Sequence, residues 1–114
     1  MHGLVELPSY IRLADKLLTA QERQDLIDYL AGNPKAGDIM EGTGGVRKLR
    51  WRRGDHGKSA GVRVIYYYHD DLMPLYLLTL FAKGDKGNLT KTERNDLVSL
   101  VDVLTNIWKR RAQS

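Results

Sequence analysis

The chain of 114 residues contains no cysteine. This absence excludes a disulfide framework, a thiolate zinc site and a cysteine nucleophile. No apolar run approaches the roughly 20 residues that a membrane-spanning helix needs. The N-terminal stretch MHGLVELPSY also lacks the charged head and apolar core of a signal peptide. We therefore expect a cytoplasmic protein with no membrane partner.

The composition is that of an ordinary globular protein, with 42% hydrophobic and 28% charged residues. No internal repeat or low-complexity segment is evident, and the length suits one domain over residues 1–114. Acidic residues are scarce in one window. Between residues 47 and 63 the only acid is Asp55, whereas the cations there are Arg47, Lys48, Arg50, Arg52, Arg53, Lys58 and Arg63. This cluster of cations, in a chain with a net charge of +4, indicates a polyanionic partner.

The first third of the chain predicts a short strand followed by two helices. Residues 4–7 are apolar enough for an edge strand, and Pro8 suits the first turn of a helix. The run Thr19-Ala-Gln-Glu22 has the spacing of a capping box and predicts the start of a second helix. Gly32 and Pro34 end that helix, so this part is expected to be a helical hairpin.

The remainder predicts three strands and a last helix. Segments 46–51, 62–69 and 75–81 are rich in β-branched, aromatic and apolar residues, and short turn-like segments separate them. Short connections favour antiparallel neighbours. A second capping box, Thr90-Lys-Thr-Glu93, opens the final helix. The apolar face of this helix is predicted to consist of Leu97, Leu100, Val101, Leu104 and Trp108. The predicted fold class is α+β: a small antiparallel β-sheet with the helical hairpin on one face and a C-terminal helix, in the order β-α-α-β-β-β-α.

Side chains alternate between the two faces of a strand, which sorts these segments. Strict alternation places Leu49 and Trp51 on an apolar face toward the helical hairpin. It also places Leu75 and Leu77 on the opposite face, together with Thr79. The polar members of that opposite face are Lys48, Arg50, Arg52, Arg63, Tyr67, His69, Thr79 and Lys83. Because Ile65 and Phe81 lie among them, the last helix is expected to cover part of this face.

The tripeptide Gly57-Lys58-Ser59 has the spelling of the end of a phosphate-binding P-loop. A P-loop requires glycine at position 52, where this chain has Arg52, and it must lead from a strand into a helix. Here the tripeptide leads into the strand-like VRVIYYY. We therefore interpret it as part of a turn between two strands rather than as a nucleotide site.

The sheet face that carries Lys48, Arg50, Arg52 and Arg63 has two interpretations. One is a solvated sheet surface, and the other is a nucleic-acid groove. Like charges concentrated on one face repel each other, so the second interpretation is favoured. Lys48, Arg50, Arg52 and Lys58 would then contact phosphates, and Tyr67 is the tyrosine available for bases, since alternation places Tyr66 and Tyr68 in the core. His69 is a candidate general base because histidine titrates near neutral pH.

Three segments together resemble the RelE/ParE toxin superfamily, most closely its HigB-like branch: GDIMEGTGGVRKLRW, GKSAGVRVIYYYH and LYLLTLFAKGDKGNLTKTE. The resemblance extends from about residue 13 to residue 100. It implies a compact microbial RNase fold and the toxin half of a type II toxin–antitoxin pair. Toxins of the RelE type cut mRNA in the ribosomal A site. The resemblance also implies a cognate antitoxin, commonly a helix-turn-helix protein.

The resemblance assigns roles to particular residues. It places Arg50, Arg52 and Lys48 in the RNA cleft, and Arg63 and Lys83 at the phosphate. The chemistry itself needs neither a metal nor another cofactor, because the ribose 2′-hydroxyl is the nucleophile and the protein supplies a base, cations and an acid. Best-known RelE proteins carry a tyrosine where this chain has Asn88-Leu89-Thr90. This difference leaves the identity of the general base open, and the candidates for proton transfer are Tyr67 and His69.

Two alternative functions remain open on the sequence. A ParE-like toxin would act on DNA gyrase, and such an activity does not need the basic cluster. A toxin relative that binds RNA or its antitoxin without cutting would keep the cluster without the catalytic groups.

Overall fold

The computed structural model describes residues 3–51, 61–84 and 88–113. Within these ranges the chain is an α+β fold, a five-stranded mixed sheet with three helices. The elements in chain order are β1 (Leu4–Glu6), α1 (Pro8–Leu17), α2 (Ala20–Gly32), β2 (Asp38–Ile39), β3 (Val46–Trp51), β4 (Val62–Tyr67), β5 (Leu75–Ala82) and α3 (Lys91–Gln113). The turn between β3 and β4, which includes Gly57-Lys58-Ser59, lies outside the described residues.

The sheet has the strand order β1-β5-β4-β3-β2. The three predicted strands pair in antiparallel fashion, β3 with β4 and β4 with β5. The prediction of a purely antiparallel sheet is wrong at the β1 edge, where β1 runs parallel to β5. The predicted glycine-rich connection also contains β2, which pairs with β3.

Helices α1 and α2 cover one face of the sheet, as predicted. Tyr10 and Ala14 of α1 and Leu26 and Leu30 of α2 are buried against strand residues such as Val64. The predicted capping box is present: the Glu22 amide donates to the Thr19 hydroxyl at 3.1 Å, and the Thr19 amide donates to Glu22 at 2.8 Å. These bonds satisfy two amides that the first helical turn leaves without partners.

Helix α3 covers part of the opposite face, which confirms the expectation raised by Ile65 and Phe81. Its predicted apolar residues all pack there: Leu97, Leu100, Val101, Leu104 and Trp108. Thr90 and Glu93 form the second predicted capping box, with bonds of 2.8 and 3.1 Å. In the part of the chain that the structure describes, no helix, α3 included, is both long and apolar enough to cross a membrane.

An irregularity in β5 corrects the strict alternation of side chains. Ile65 of β4 pairs with Thr79, but the next residue, Tyr66, pairs with Leu77, so that Leu78 is an extra residue in β5. A bulge of this kind shifts the facing of every residue on one side of it. Leu75 and Leu77 consequently lie in the core under α1 and α2, and not on the face of Thr79 as predicted. Ser9 of α1 donates a 2.6 Å hydrogen bond to the Leu78 carbonyl at this point.

Candidate nucleic-acid interface

Two arginines lie directly opposite each other on the face that α3 partly covers. Arg50 of β3 and Arg63 of β4 are register partners, so their side chains leave the same face of the sheet, with Cβ atoms roughly 5 Å apart. Arg50 is exposed and Arg63 half-buried. Among the described residues, no carboxylate lies within 4.0 Å of either guanidinium. Neither arginine is therefore ion-paired with a described residue.

A groove with a volume of about 590 Å³ begins beside Arg50. Lys48 and Arg50 line it from β3, and Arg94 lines it from the first turns of α3. Arg94 has no sequence signal, because its approach to β3 depends on how α3 packs across the sheet. The groove therefore gathers three cations from two elements, which suits a phosphate chain.

Two carboxylates also line this groove. Asp38 is the register partner of Lys48, and Glu41 lies in the turn after β2. The basic window has Asp55 as its sole acid in the sequence, but the pairing of β2 with β3 brings these two acids to it. A carboxylate among cations can serve as a general base. Asp38 and Glu41 are functional candidates that the sequence pattern did not reveal, since β2 is only two residues long.

Lys83 lies at the same end of the sheet as Arg63. Its backbone amide donates to the carbonyl of Gly61, just before β4, at 3.1 Å. Arg63 pairs with Phe81, two residues before Lys83. Lys83 is exposed. The structure thus brings Arg50, Arg63 and Lys83 to one end of the central strands.

Tyr67 and His69 lie at the other end of β4. Tyr67 is four positions after Arg63, a distance of about 13 Å along a strand. The Tyr67 hydroxyl is 3.4 Å from His69 Nδ1, and His69 Nε2 is 3.7 Å from the Asp70 carboxylate. Tyr67 is only 5% exposed and belongs to the core under α3. The four predicted catalytic residues therefore fall into two groups, and the expectation of an accessible Tyr67 ring is wrong because α3 covers it.

A set of hydrogen bonds on the hairpin face fixes the segment that carries Asp38. The Tyr66 hydroxyl accepts from the Gly37 amide at 2.8 Å and donates to the Pro34 carbonyl at 2.9 Å. Arg47 donates to the carbonyls of Gly37, at 2.8 Å, and Lys35, at 3.3 Å. Burial raises the pKa of Tyr66 and so keeps its proton available for this role. Arg47 thus serves the fold, whereas the other described cations of the basic window line the opposite face.

The remaining predicted RNA-binding residues, Arg52 and Lys58, lie outside the described residues. Within residues 3–51, 61–84 and 88–113, no group of three histidine, cysteine or carboxylate side chains is placed to hold a metal ion. At the position where RelE proteins carry a tyrosine, Leu89 is buried against α3 and Asn88 is exposed. No protein-family model matches the chain.

Proposed function

We propose that this chain is the toxin component of a type II toxin–antitoxin system, a ribosome-dependent mRNA endoribonuclease that inhibits translation and is neutralised by a cognate antitoxin. The observation that carries the proposal is the Arg50–Arg63 pair, two cations directly opposite each other with no described carboxylate within 4.0 Å of either guanidinium. Such a pair is unfavourable in the protein alone and becomes favourable when a phosphate binds between the two side chains.

The cleavage follows from the chemistry of RNA. A base takes the proton of the 2′-hydroxyl, the 2′ oxygen attacks the adjacent phosphorus, and the crowded dianionic phosphorane that forms needs cations beside it. The bond from phosphorus to the 5′ oxygen then breaks, an acid protonates that oxygen, and a 2′,3′-cyclic phosphate remains. Arg50 and Arg63, which face each other across β3 and β4, would supply this stabilisation, and Lys83 lies at the same end of the sheet. Lys48 and Arg94 extend the cationic surface along the groove and orient the chain of phosphates.

Proton transfer has two possible sources. Tyr67 and His69 are about 13 Å or more from Arg63 along β4, so they act on a phosphate at Arg63 only if RNA or the ribosome reorders this end of the sheet. Asp38 and Glu41 share the groove with Arg50 and need no such change. We assign the general base to this carboxylate pair, with Tyr67 and His69 as the alternative.

One observation favours a second candidate function, an RNA-binding relative that does not cut. The separation of Tyr67 and His69 from the arginines leaves the cationic surface intact but without the proton donor and acceptor predicted from the sequence. Binding without cleavage would inhibit translation by occupying the A site.

Induced expression followed by primer extension on translated mRNA tests the proposal. Cleavage products should appear with the unsubstituted protein and fall at least tenfold with Arg63→Ala or Lys83→Ala. Arg12→Ala removes the same charge from exposed α1 on the other side of the sheet and should leave cleavage unchanged. Cleavage that persists in both site variants would show that Arg63 and Lys83 do not form the active site. Growth arrest with intact mRNA and broken DNA would favour a ParE-like action on gyrase.

A further inference from the structure

Two aromatic side chains meet at the exposed margin of the sheet, outside the groove described above. Tyr29 of α2 and Trp51 at the end of β3 have ring centroids 5.3 Å apart, with the planes inclined at 47°. Tyr29 is 40% exposed and Trp51 is half-buried. In the described structure β2 pairs only with Arg47 and Lys48, so no strand lies beside Trp51 on its outer side. The pair is therefore accessible.

The aromatic pair adjoins the phosphate groove through two shared residues, Leu49 and Arg50. A cavity of about 320 Å³ is lined by Tyr29, Leu49, Arg50 and Trp51. Arg50 also lines the groove that contains Lys48 and Arg94. Trp51 lies on the hairpin face of β3 and Arg50 on the other face, so a polyanion held at Arg50 reaches the rings around the edge of β3, where β2 does not pair.

This combination has the chemistry of a single-stranded nucleic-acid site. Such sites pair a cationic track for the backbone with aromatic rings on which bases stack, because every base has an apolar π-face. At 5.3 Å the two rings are in contact, so a base lies against the pair rather than between its members. The cation at the margin of the cavity favours an anionic strand over an apolar protein segment.

We infer that Tyr29 and Trp51 form a stacking site for one unpaired base of bound RNA, and that Arg50 joins this site to the phosphate-binding groove. The inference rests on the proposed function only in taking RNA as the ligand. It adds a positioning element on the hairpin side of β3, which would fix the register of the RNA strand relative to Arg50 and Arg63.

Tryptophan fluorescence tests the inference directly, because the chain has only two tryptophans. In a Trp108→Phe background, Trp51 is the sole reporter. The probe is a single-stranded oligonucleotide with 2′-O-methyl groups, which binds without being cut. A second probe of equal length is abasic at every position. We expect quenching of Trp51 by the first probe and none by the abasic one.

The variants Tyr29→Ala and Trp51→Ala test the same site by affinity. Each should weaken binding of the first probe roughly tenfold and leave binding of the abasic probe unaffected, as measured by the fluorescence anisotropy of a labelled oligonucleotide.

Two controls keep the test decisive. Leu72→Ala removes an 81% exposed side chain from the turn at the opposite end of β4 and should change neither affinity. If Trp108→Phe fails to fold, 5-fluorotryptophan incorporated into the unsubstituted chain reports Trp51 by fluorine NMR, with the resonance assigned through Trp51→Phe. Equal affinity for the two probes, or a Trp51 signal that RNA does not change, would overturn the inference.

The outcomes separate this inference from the proposed function. If the unsubstituted protein cuts mRNA, and Tyr29→Ala cuts mRNA and binds the oligonucleotide equally well, the stacking site is wrong and the proposed function stands. If Trp51 responds to bases but no mRNA is cut, the stacking site stands and the endoribonuclease proposal fails. A Trp51 response to a protein partner with none to RNA would contradict the inference.

Discussion

Arg50 and Arg63 repel each other in the protein without a ligand, because register partners on one face lie within roughly 5 Å at Cβ. Neither has an ion pair with a described residue. A residue pair that costs stability and serves no core or capping role is expected to serve binding, where a phosphate converts the repulsion into a shared attraction.

Replacing one arginine should therefore have opposite effects on stability and on RNA binding. Arg63→Gln is expected to raise the free energy of unfolding by about 0.2–1 kcal/mol, since the repulsion disappears, and to weaken RNA binding at least fivefold. Urea denaturation and fluorescence anisotropy measure the two quantities. Arg12→Gln, with the same change in net charge, should alter neither by a comparable amount. A destabilised Arg63→Gln would show that the arginines support the fold.

Tyr10 gives a prediction for alkaline pH. Burial, reinforced by the Glu6 carboxylate, raises the pKa of Tyr10 to about 12, and its buried hydroxyl has no hydrogen-bond partner among the described residues. The unfolded chain releases this proton near pH 10, so the folded state binds more protons between about pH 10 and 12 and loses stability as the pH rises through that window.

Tyr10→Phe should reduce this alkaline loss of stability. Removing a buried hydroxyl without a partner should also leave the stability at pH 7 unchanged or slightly higher. Unfolding free energies measured from pH 9 to pH 12 in both proteins provide the test, and Tyr66, whose pKa burial also raises, accounts for a remaining slope. Identical slopes in the two proteins would contradict the role given to Tyr10.

At the scale of elements, the short strand β2 completes the groove. It carries Asp38 opposite Lys48, and the bonds from Gly37 to Tyr66 and Arg47 hold the chain just before it. The position of this two-residue strand therefore depends on backbone contacts more than on its own side chains, of which Asp38 and Ile39 are both exposed.

Gly37→Ala should disturb this strand. A Cβ at position 37 would lie 2.9 Å from the Tyr66 ring and 3.0 Å from the Lys48 carbonyl. Both neighbours are fixed, so we expect a loss of about 1–3 kcal/mol and weaker RNA binding through displacement of Asp38 and Lys48. Gly32→Ala, where a Cβ meets nothing within 4 Å, is the matched control. Thermal denaturation that shows the two variants to be equally stable would contradict this account.

The elements also show what a sequence can and cannot predict here. Both capping boxes and the apolar face of α3 follow from local spacing, and they are confirmed. The bulge at Leu78 has no local signal, because both faces of β5 are buried and LYLLTLFA is apolar in either register. The strand β2 is too short for a pattern. The packing of the whole molecule determines both the position of the bulge and the formation of β2.

The candidate site likewise contains residues that the sequence predicts and residues that only tertiary contacts bring together. Alternation predicts that Arg50 and Arg63 share a face, and the register of β3 with β4 confirms it. Arg94, Asp38 and Glu41 reach the groove through tertiary contacts that no local pattern contains. The burial of Tyr67 depends on how far α3 extends over the sheet, which alternation alone does not give.

At the scale of the whole molecule, helices cover both faces of the sheet and leave the margin of β3 and the Arg63 end accessible. The fold thus gathers Lys48, Arg50, Arg63 and Arg94 where a polyanion can reach them. Binding that depends on phosphates releases counter-ions and weakens with salt in proportion to the number of contacts.

RNA affinity should therefore fall steeply with salt concentration. Four contacts, from Lys48, Arg50, Arg63 and Arg94, predict a slope of about −3 in log affinity against log salt for a single strand. Arg63→Gln should make the slope shallower by about 0.7, and Arg12→Gln should leave it unchanged. Anisotropy titrations at several salt concentrations measure it. A slope near zero would contradict a phosphate-binding groove.

The central claim is that the Arg50–Arg63 surface cuts mRNA on the ribosome. Its most direct test is primer extension on a defined mRNA, with purified ribosomes stalled with a vacant A site and purified protein added. We predict a new 3′ end within the A-site codon, no cleavage of the same mRNA without ribosomes, and loss of the cut with Arg50→Ala or Arg63→Ala but not with Arg12→Ala. An mRNA that remains intact in the ribosomal complex, with the protein folded and bound, would contradict the account.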